Sequence, residues 1–110
     1  MKKLVEFRSY ILKPECRDAF HRLVQEASYP LLRNWGVDVV DYGPSAHDIN
    51  AYYLIRAYCD LPDRAVSQDA FYGSSDWRDG PRESIVALIE CYTSFTLELD
   101  EAVVKALRTQ

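Results

Sequence analysis

The sequence predicts an α+β fold: a ferredoxin-like βαββαβ chain whose antiparallel four-stranded sheet closes against a second copy as a barrel. Three observations predict it. Four stretches alternate apolar and polar residues with period two, and two longer stretches between them have helical spacing. Capping and turn residues fall at the joints of that order. One set of alternate strand residues is crowded with tyrosines, too many for a face left in water.

The first strand spans 3–12, with Val5, Phe7 and Ile11 on one side and Glu6, Arg8 and Tyr10 on the other. Pro14 suits the first turn of the helix that follows. Over 14–35, Cys16, Ala19, Phe20, Leu23, Val24, Ala27, Leu31 and Leu32 make an apolar stripe. Pro30 has no N–H to donate, so it kinks this helix or splits off its last turn. Gly36 stops it. Residues 37–43 read as the second strand, 43–48 as a turn, and 49–59 as the third strand. In the third strand Ile49, Ala51, Tyr53, Ile55 and Ala57 alternate with Asn50, Tyr52, Leu54, Arg56 and Tyr58.

Asp60 is the expected N-cap of the second helix, with Pro62 in its first turn. That helix runs to about Tyr72 and ends at Gly73. Ser74, Ser75 and Asp76 cap a short helical piece holding Trp77, and Gly80-Pro81 restarts the helix. Residues 90–99 form the last strand, with Cys91, Phe95, Leu97 and Leu99 opposite Tyr92, Ser94, Thr96 and Glu98. Residues 1–99 thus form the domain, and 100–110 a short helical tail that Asp100 caps.

With 110 residues there is room for one domain. The net charge of -4 and the scattered Lys and Arg argue against nucleic acid, which needs a positive footprint. Cys16, Cys59 and Cys91 are odd in number and lack metal-ligand spacing, so they read as small, mostly buried thiols in a reducing compartment. Glu6 and Arg8 interrupt the apolar residues after Lys2 and Lys3, which excludes a signal-peptide core. No apolar run approaches the length of a membrane helix. The expectation is a soluble, cytoplasmic protein.

Helices cover one sheet face. The apolar set Val5, Phe7, Ile11, Tyr53, Ile55, Phe95 and Leu97 is expected beneath them. The other face then carries Glu6, Arg8, Tyr10, Tyr52, Leu54, Arg56, Tyr58 and Tyr92, with Ser94 and Thr96. A second copy related by a two-fold axis would cover it, holding Glu6, Arg8 and Arg56 as paired charges between the sheets.

Several segments resemble the NIPSNAP family of the dimeric α+β barrel superfamily. They are Glu6-Phe7-Arg8-Ser9-Tyr10-Ile11-Leu12-Lys13-Pro14, Pro30-Leu31-Leu32-Arg33 with Trp35-Gly36, Tyr58 with Leu61 and Arg64, and Phe71-Tyr72 with Asp76-Trp77-Arg78. Arg56-Ala57 stands where the family often has Trp-Arg. The resemblance implies a barrel-forming homodimer with a ligand cavity between helices and sheet. It also brings in a wider superfamily of cofactor-independent monooxygenases of aromatic polyketides, haem-degrading enzymes, muconolactone isomerases and stress-response barrels.

For that cavity, Trp35, Tyr53, Tyr72 and Trp77 are the expected lining. His21, Tyr53 and Tyr72 are the candidate acid–base groups. His21 lies on the polar stripe of its helix, which reads as a rim position more than as a haem ligand. His47 sits in a turn beside Asp48. Two histidines without a ligand cluster imply no metal site, and no cofactor is expected. No Gly-x-Ser-x-Gly elbow or Gly-rich phosphate loop occurs. The two functional readings are a homodimeric module binding a small apolar or aromatic metabolite, and a cofactor-free monooxygenase or isomerase acting on an aromatic or enolisable substrate.

Overall fold

The computed structural model describes residues 3–108. Its elements are β1 (Leu4–Leu12), α1 (Arg17–Leu23), a π-helical turn (Val24–Ser28), α2 (Tyr29–Asn34), β2 (Asp38–Pro44) and β3 (Ala51–Tyr58). They are followed by α3 (Leu61–Gly73), α4 (Ser75–Arg78), α5 (Arg82–Val86), β4 (Ile89–Glu98) and α6 (Glu101–Leu107). The four strands form one sheet in the order β2-β3-β1-β4, every pair antiparallel, which is the ferredoxin-like arrangement.

Local chemistry sets the element ends. Asp60 caps α3 by accepting from the backbone N–H of Asp63 at 2.8 Å. Ser74 Oγ accepts from Trp77 N at 3.2 Å and starts α4. Asp100 stands at the head of α6 but makes no side-chain cap bond. Pro30 sits in the first turn of α2. The turn just before it is wound as a π-helix, which accommodates a residue that can neither donate nor clear the carbonyl four residues earlier.

Two element starts differ from the sequence reading by more than one residue. The first helix begins at Arg17 rather than at Pro14, because residues 14–15 form a turn in which Glu15 takes a left-handed φ of 64°. β3 begins at Ala51, since Asp48 Oδ1 accepts from Asn50 N at 2.7 Å and holds the preceding residues in a turn. The cysteines are free, but Cys59 and Cys91 are exposed rather than buried.

The main correction concerns which face of the sheet lies under the helices. The alternation along each strand is as the sequence predicts, and the register confirms it. Glu6 pairs with Arg56 and Thr96, Phe7 with Ile55 and Phe95, and Tyr10 with Tyr52 and Tyr92. Yet it is the tyrosine-rich set that the chain's own helices cover. Tyr10, Leu12, Tyr52 and Leu54 pack with Phe20, Val24, Leu32, Phe71, Trp77 and Ile85 in the larger core. Glu6, Arg56 and Tyr58 are buried beneath α3. Of that set only Tyr92 is exposed, on the edge strand β4. The set expected to be the core lies on the other face. There Val5, Ile55, Ala57 and Val40 pack with Val104 of α6, joined by Phe7, Tyr53, Leu99 and Leu107. Farther along the same face Phe95 and Leu97 remain 57% and 46% exposed.

The physical reason lies in α3. Its inward side carries Arg64, Gln68, Phe71 and Tyr72, while Leu61 and Val66 point to solvent. A helix with that face needs a polar and aromatic surface below it, since an unpaired buried polar group costs more than a buried apolar one gains.

Two substitutions test this backbone. A Cβ at Gly80 would lie 2.3 Å from the carbonyl oxygen of Asp76, so Gly80→Ala lowers stability by roughly 1–3 kcal/mol in urea unfolding. Glu15→Gly removes a left-handed strain of roughly 1–2 kcal/mol against a glycine entropy cost of roughly 0.5–1 kcal/mol; a small rise in the urea midpoint is expected.

Candidate functional site

The helix-covered face has a charged end and an aromatic end, and they meet at Tyr72. At the charged end, Glu6 on the central strand β1 is fully buried. Its Oε1 accepts from Arg56 Nε at 2.8 Å and Nη2 at 2.6 Å. Its Oε2 accepts from Arg64 Nε at 3.1 Å, Arg64 Nη2 at 2.6 Å and Gln68 Nε2 at 3.0 Å. Arg8 Nη2 reaches the same oxygen loosely, at 3.4 Å. Arg56 and Glu6 are direct cross-strand neighbours, while Arg64 and Gln68 lie one helical turn apart on α3, so two elements converge on one carboxylate.

Burial alone would favour the neutral acid. The charge of Arg56 and the hydrogen bonds from Gln68 and Arg64 outweigh it and hold the Glu6 carboxyl at about 2, against an ordinary 4.5. Tyr72 ties this end to the aromatic end: its hydroxyl accepts from Arg56 Nη1 at 2.7 Å and Arg8 Nη1 at 3.4 Å.

At the aromatic end Phe20, Tyr52, Phe71, Tyr72 and Trp77 wall a chamber beneath the helices, with Tyr10 and Leu54 on its floor and Val24, Ser28 and Leu32 in its roof. The rings touch edge to face: Phe20 with Tyr52 at 4.9 Å between centroids, Phe71 with Tyr72 at 5.0 Å, and Tyr72 with Trp77 at 5.4 Å. The space left is about 40 Å³, enough for a few waters but not for an aromatic ring. Two roof residues, Val24 and Ser28, are the ends of the π-helical turn.

Tyr52 spans the chamber and the outside. Its ring is in the wall, and its hydroxyl shares a 2.6 Å hydrogen bond with His21 Nδ1. Burial, and then the neighbouring phenols Tyr42 and Tyr53, push the Tyr52 pKa well up, so this hydroxyl keeps its proton. His21 faces a broader, water-open cleft of about 410 Å³, lined also by Gln25, Tyr29, Asp41, Tyr42 and Arg108.

Of the residues expected at a pocket, Tyr72 and Trp77 line the chamber and two do not. Tyr53 is on the opposite sheet face, where its hydroxyl donates to Asp41 Oδ2 at 2.7 Å. Burial, and then that bond, push it up to about 12. Trp35 lies outside, meeting Phe71 edge-on at 6.4 Å and donating through Nε1 to Asp76 Oδ2 at 3.1 Å. The three candidate acid–base groups are therefore in three different places: His21 in the cleft, Tyr72 between the arginines and the chamber, and Tyr53 across the sheet. Glu6, Arg8, Tyr10, Tyr52, Leu54, Arg56 and Tyr58, expected between subunits, lie on the helix side because their partners are on α1 and α3. His47 pairs with Ser45 Oγ at 2.7 Å in an exposed turn.

Sequence reasoning overlooked Arg64 and Gln68 as site residues and did not pair His21 with Tyr52. The spacing of Arg64, Gln68 and Tyr72 at i, i+4 and i+8 was the available signal: a polar stripe on a helix whose apolar residues form no stripe of their own. Among the described residues no group of three or more His, Cys, Asp and Glu could hold a metal ion, and no helix is long and apolar enough to cross a membrane.

No family model and no curated protein matches the sequence. Solved structures do match. A NIPSNAP-like domain protein from Burkholderia xenovorans superposes with a TM-score of 0.82 at 21% identity, over 91% of this chain and 87% of its own. A NIPSNAP family protein of unknown function from Agrobacterium tumefaciens gives 0.80 at 23% identity, over 88% and 87%. A Bordetella bronchiseptica protein provisionally described as an antibiotic biosynthesis monooxygenase gives 0.70 at 17%, over 91% and 99%. At these identities the likeness is one of fold, and the fold is that of the NIPSNAP structures.

The Glu6 network makes two predictions. Glu6→Gln leaves three arginines without their carboxylate and costs roughly 3–5 kcal/mol in urea unfolding. The folded carboxyl titrates below its unfolded value, so its contribution is complete above pH 4.5 and is lost as the pH falls towards about 2. Stability of the wild type should fall across that window more steeply than that of Glu6→Gln.

Proposed function

We propose that the protein is a homodimeric, NIPSNAP-like barrel that binds a small aromatic or apolar molecule between its helices and its own sheet. The observation that carries this reading is the aromatic-walled chamber roofed by a π-helical turn. A void bounded by eight aromatic side chains is a poor use of packing unless something fills it, and π-turns are frequent at functional positions. With only about 40 Å³ free, entry of a ring must displace the roof, where residues 24–28 are wound as a π-helix rather than an α-helix. The fold likeness to NIPSNAP structures is compatible with this and adds no ligand.

Binding is tested with 2-naphthol, by quenching of tryptophan fluorescence in a Trp35→Phe background, which leaves Trp77 as the one tryptophan, and by thermal shift. A saturable response, lost in a chamber-filling Val24→Trp variant that still folds, is expected. No saturable response in the wild type would remove the reading.

The dimer rests on the open sheet face. Phe7 and Phe95 stack there at 5.1 Å with an interplanar angle of 13°, and Leu97 extends the patch. α6 covers the face only at the Val40 and Ala57 end. A second copy meeting it about a two-fold axis would shield Phe95 and Leu97 and close the barrel. Sedimentation equilibrium at micromolar concentration should give a dimer, and Phe95→Glu a folded monomer. A monomeric wild type would contradict this.

A second reading, a cofactor-free enzyme acting on an enolisable substrate, is favoured by one feature. The His21–Tyr52 hydrogen bond links the chamber wall to open solvent, a route for a proton. Its sign would be protein-dependent deuterium uptake at the α-carbon of 2-tetralone, measured by NMR and abolished in both His21→Ala and Tyr52→Phe. Uptake no faster than in buffer would leave binding as the only role.

A further inference from the structure

The charges beneath α3 do not balance. Arg8, Arg56 and Arg64 supply three positive charges, and among the described residues Glu6 is the one carboxylate hydrogen-bonded to them. Glu6 is also fully engaged. Arg56 takes one oxygen through two donors, and Arg64 with Gln68 takes the other. Arg8 is left with a 3.4 Å contact to Glu6 and a 3.4 Å contact to the Tyr72 hydroxyl. Its Nε is buried and, among the described residues, is the one buried side-chain donor with no partner. The side chain is only 11% exposed. An underused guanidinium in that setting is costly, because burial penalises the charge and leaves a donor unmet.

Its surroundings have the form of a receptor. The guanidinium carbon lies 4.8 Å from the ring centroid of Tyr92 and 5.9 Å from that of Tyr72. Tyr92 is exposed on the edge strand, and Ser94, directly opposite Arg8 in the register, is half-buried. The site therefore has a side open to solvent along β4. On its other side, Tyr10 and Tyr72 line the chamber.

We infer that Arg8 is an anion-binding residue, and that the molecule taken up by the chamber is an aromatic acid whose carboxylate pairs with the Arg8 guanidinium while its ring lies among Tyr10, Tyr72 and Trp77. A carboxylate matches the planar fork of arginine, satisfies Nε and Nη together, and lowers the excess positive charge. The part of this concerning the ring rests on the chamber reading; the part concerning the anion does not.

The experiment compares 2-naphthoate, its neutral counterpart 2-naphthol, and acetate at fixed ionic strength, by thermal shift and Trp fluorescence. It uses the wild type, Arg8→Met, Arg8→Lys and Val24→Trp. The wild type should bind 2-naphthoate at least about tenfold more tightly than 2-naphthol, Arg8→Lys should lose about tenfold, and Arg8→Met should bind the acid no better than the phenol. Should Arg8→Met fail to fold, Arg8→Lys keeps the charge and carries the test through its donor geometry. Equal affinity of the wild type for acid and phenol, or Arg8→Lys and any folded Arg8→Met binding the acid like the wild type, overturns the anion site while leaving the chamber in place. Arg8-dependent binding of acetate and 2-naphthoate that Val24→Trp does not weaken keeps the anion site and overturns the chamber. No response to any of the three compounds overturns both.

Discussion

One carboxylate decides which way this sheet faces. Glu6 lies near the start of the interior strand β1, with Arg56 beside it on the neighbouring strand and Arg64 and Gln68 above it on α3. Those partners exist only on the helix side. Turned over, Glu6 and Arg56 would keep each other but lose Arg64, Gln68 and Tyr72, and α3 would set two polar side chains against Phe7 and Phe95. The desolvation cost of such a mismatch is several kcal/mol, a large fraction of the stability of a domain this size. The ionic cluster thus acts less as a source of net stability than as a constraint on orientation.

From that constraint the rest of the molecule follows. With the polar and tyrosine-rich residues turned inward, the helix-side layer is a mixed layer in which rings meet edge to face and hydroxyls reach arginines or His21. The space among Tyr52, Phe71, Tyr72 and Trp77 lies within that layer. The aliphatic residues, displaced to the other face, leave Phe95 and Leu97 in water unless another surface meets them. A polar, cavity-bearing interior and an apolar exterior face are two consequences of the same choice.

The elements were legible in the sequence because they depend on local chemistry. Asp60 and Ser74 cap what they were expected to cap, Pro30 interrupts its helix, and the alternation of Glu6, Arg8 and Tyr10 with Val5 and Phe7 holds through the register. The facing was not legible from alternation, which separates two sets of residues without saying which set is inside. The usual guide, that the more apolar set is the core, fails here because α3 is not amphipathic in the ordinary sense. Its apolar residues Leu61 and Val66 are outside, and its inward stripe is Arg64, Gln68 and Tyr72. Matching that stripe to Glu6 and Arg56 requires knowing that β1 and β3 are neighbours in a register that sets those two side by side, which is tertiary information. The same inversion moved Tyr53 out of the pocket and brought Tyr52 into it.

The orientation of the sheet is read most directly from the ionisation of Glu6 itself, followed by the chemical shift of its side-chain carboxyl carbon in a ¹³C NMR titration of the folded protein. A carboxylate enclosed by Arg56, Arg64 and Gln68 should stay ionised down to a pKa of about 2. A midpoint near the ordinary 4.5 would mean that Glu6 meets water, that the tyrosine-rich face is not beneath the helices, and that the account given of this fold is wrong.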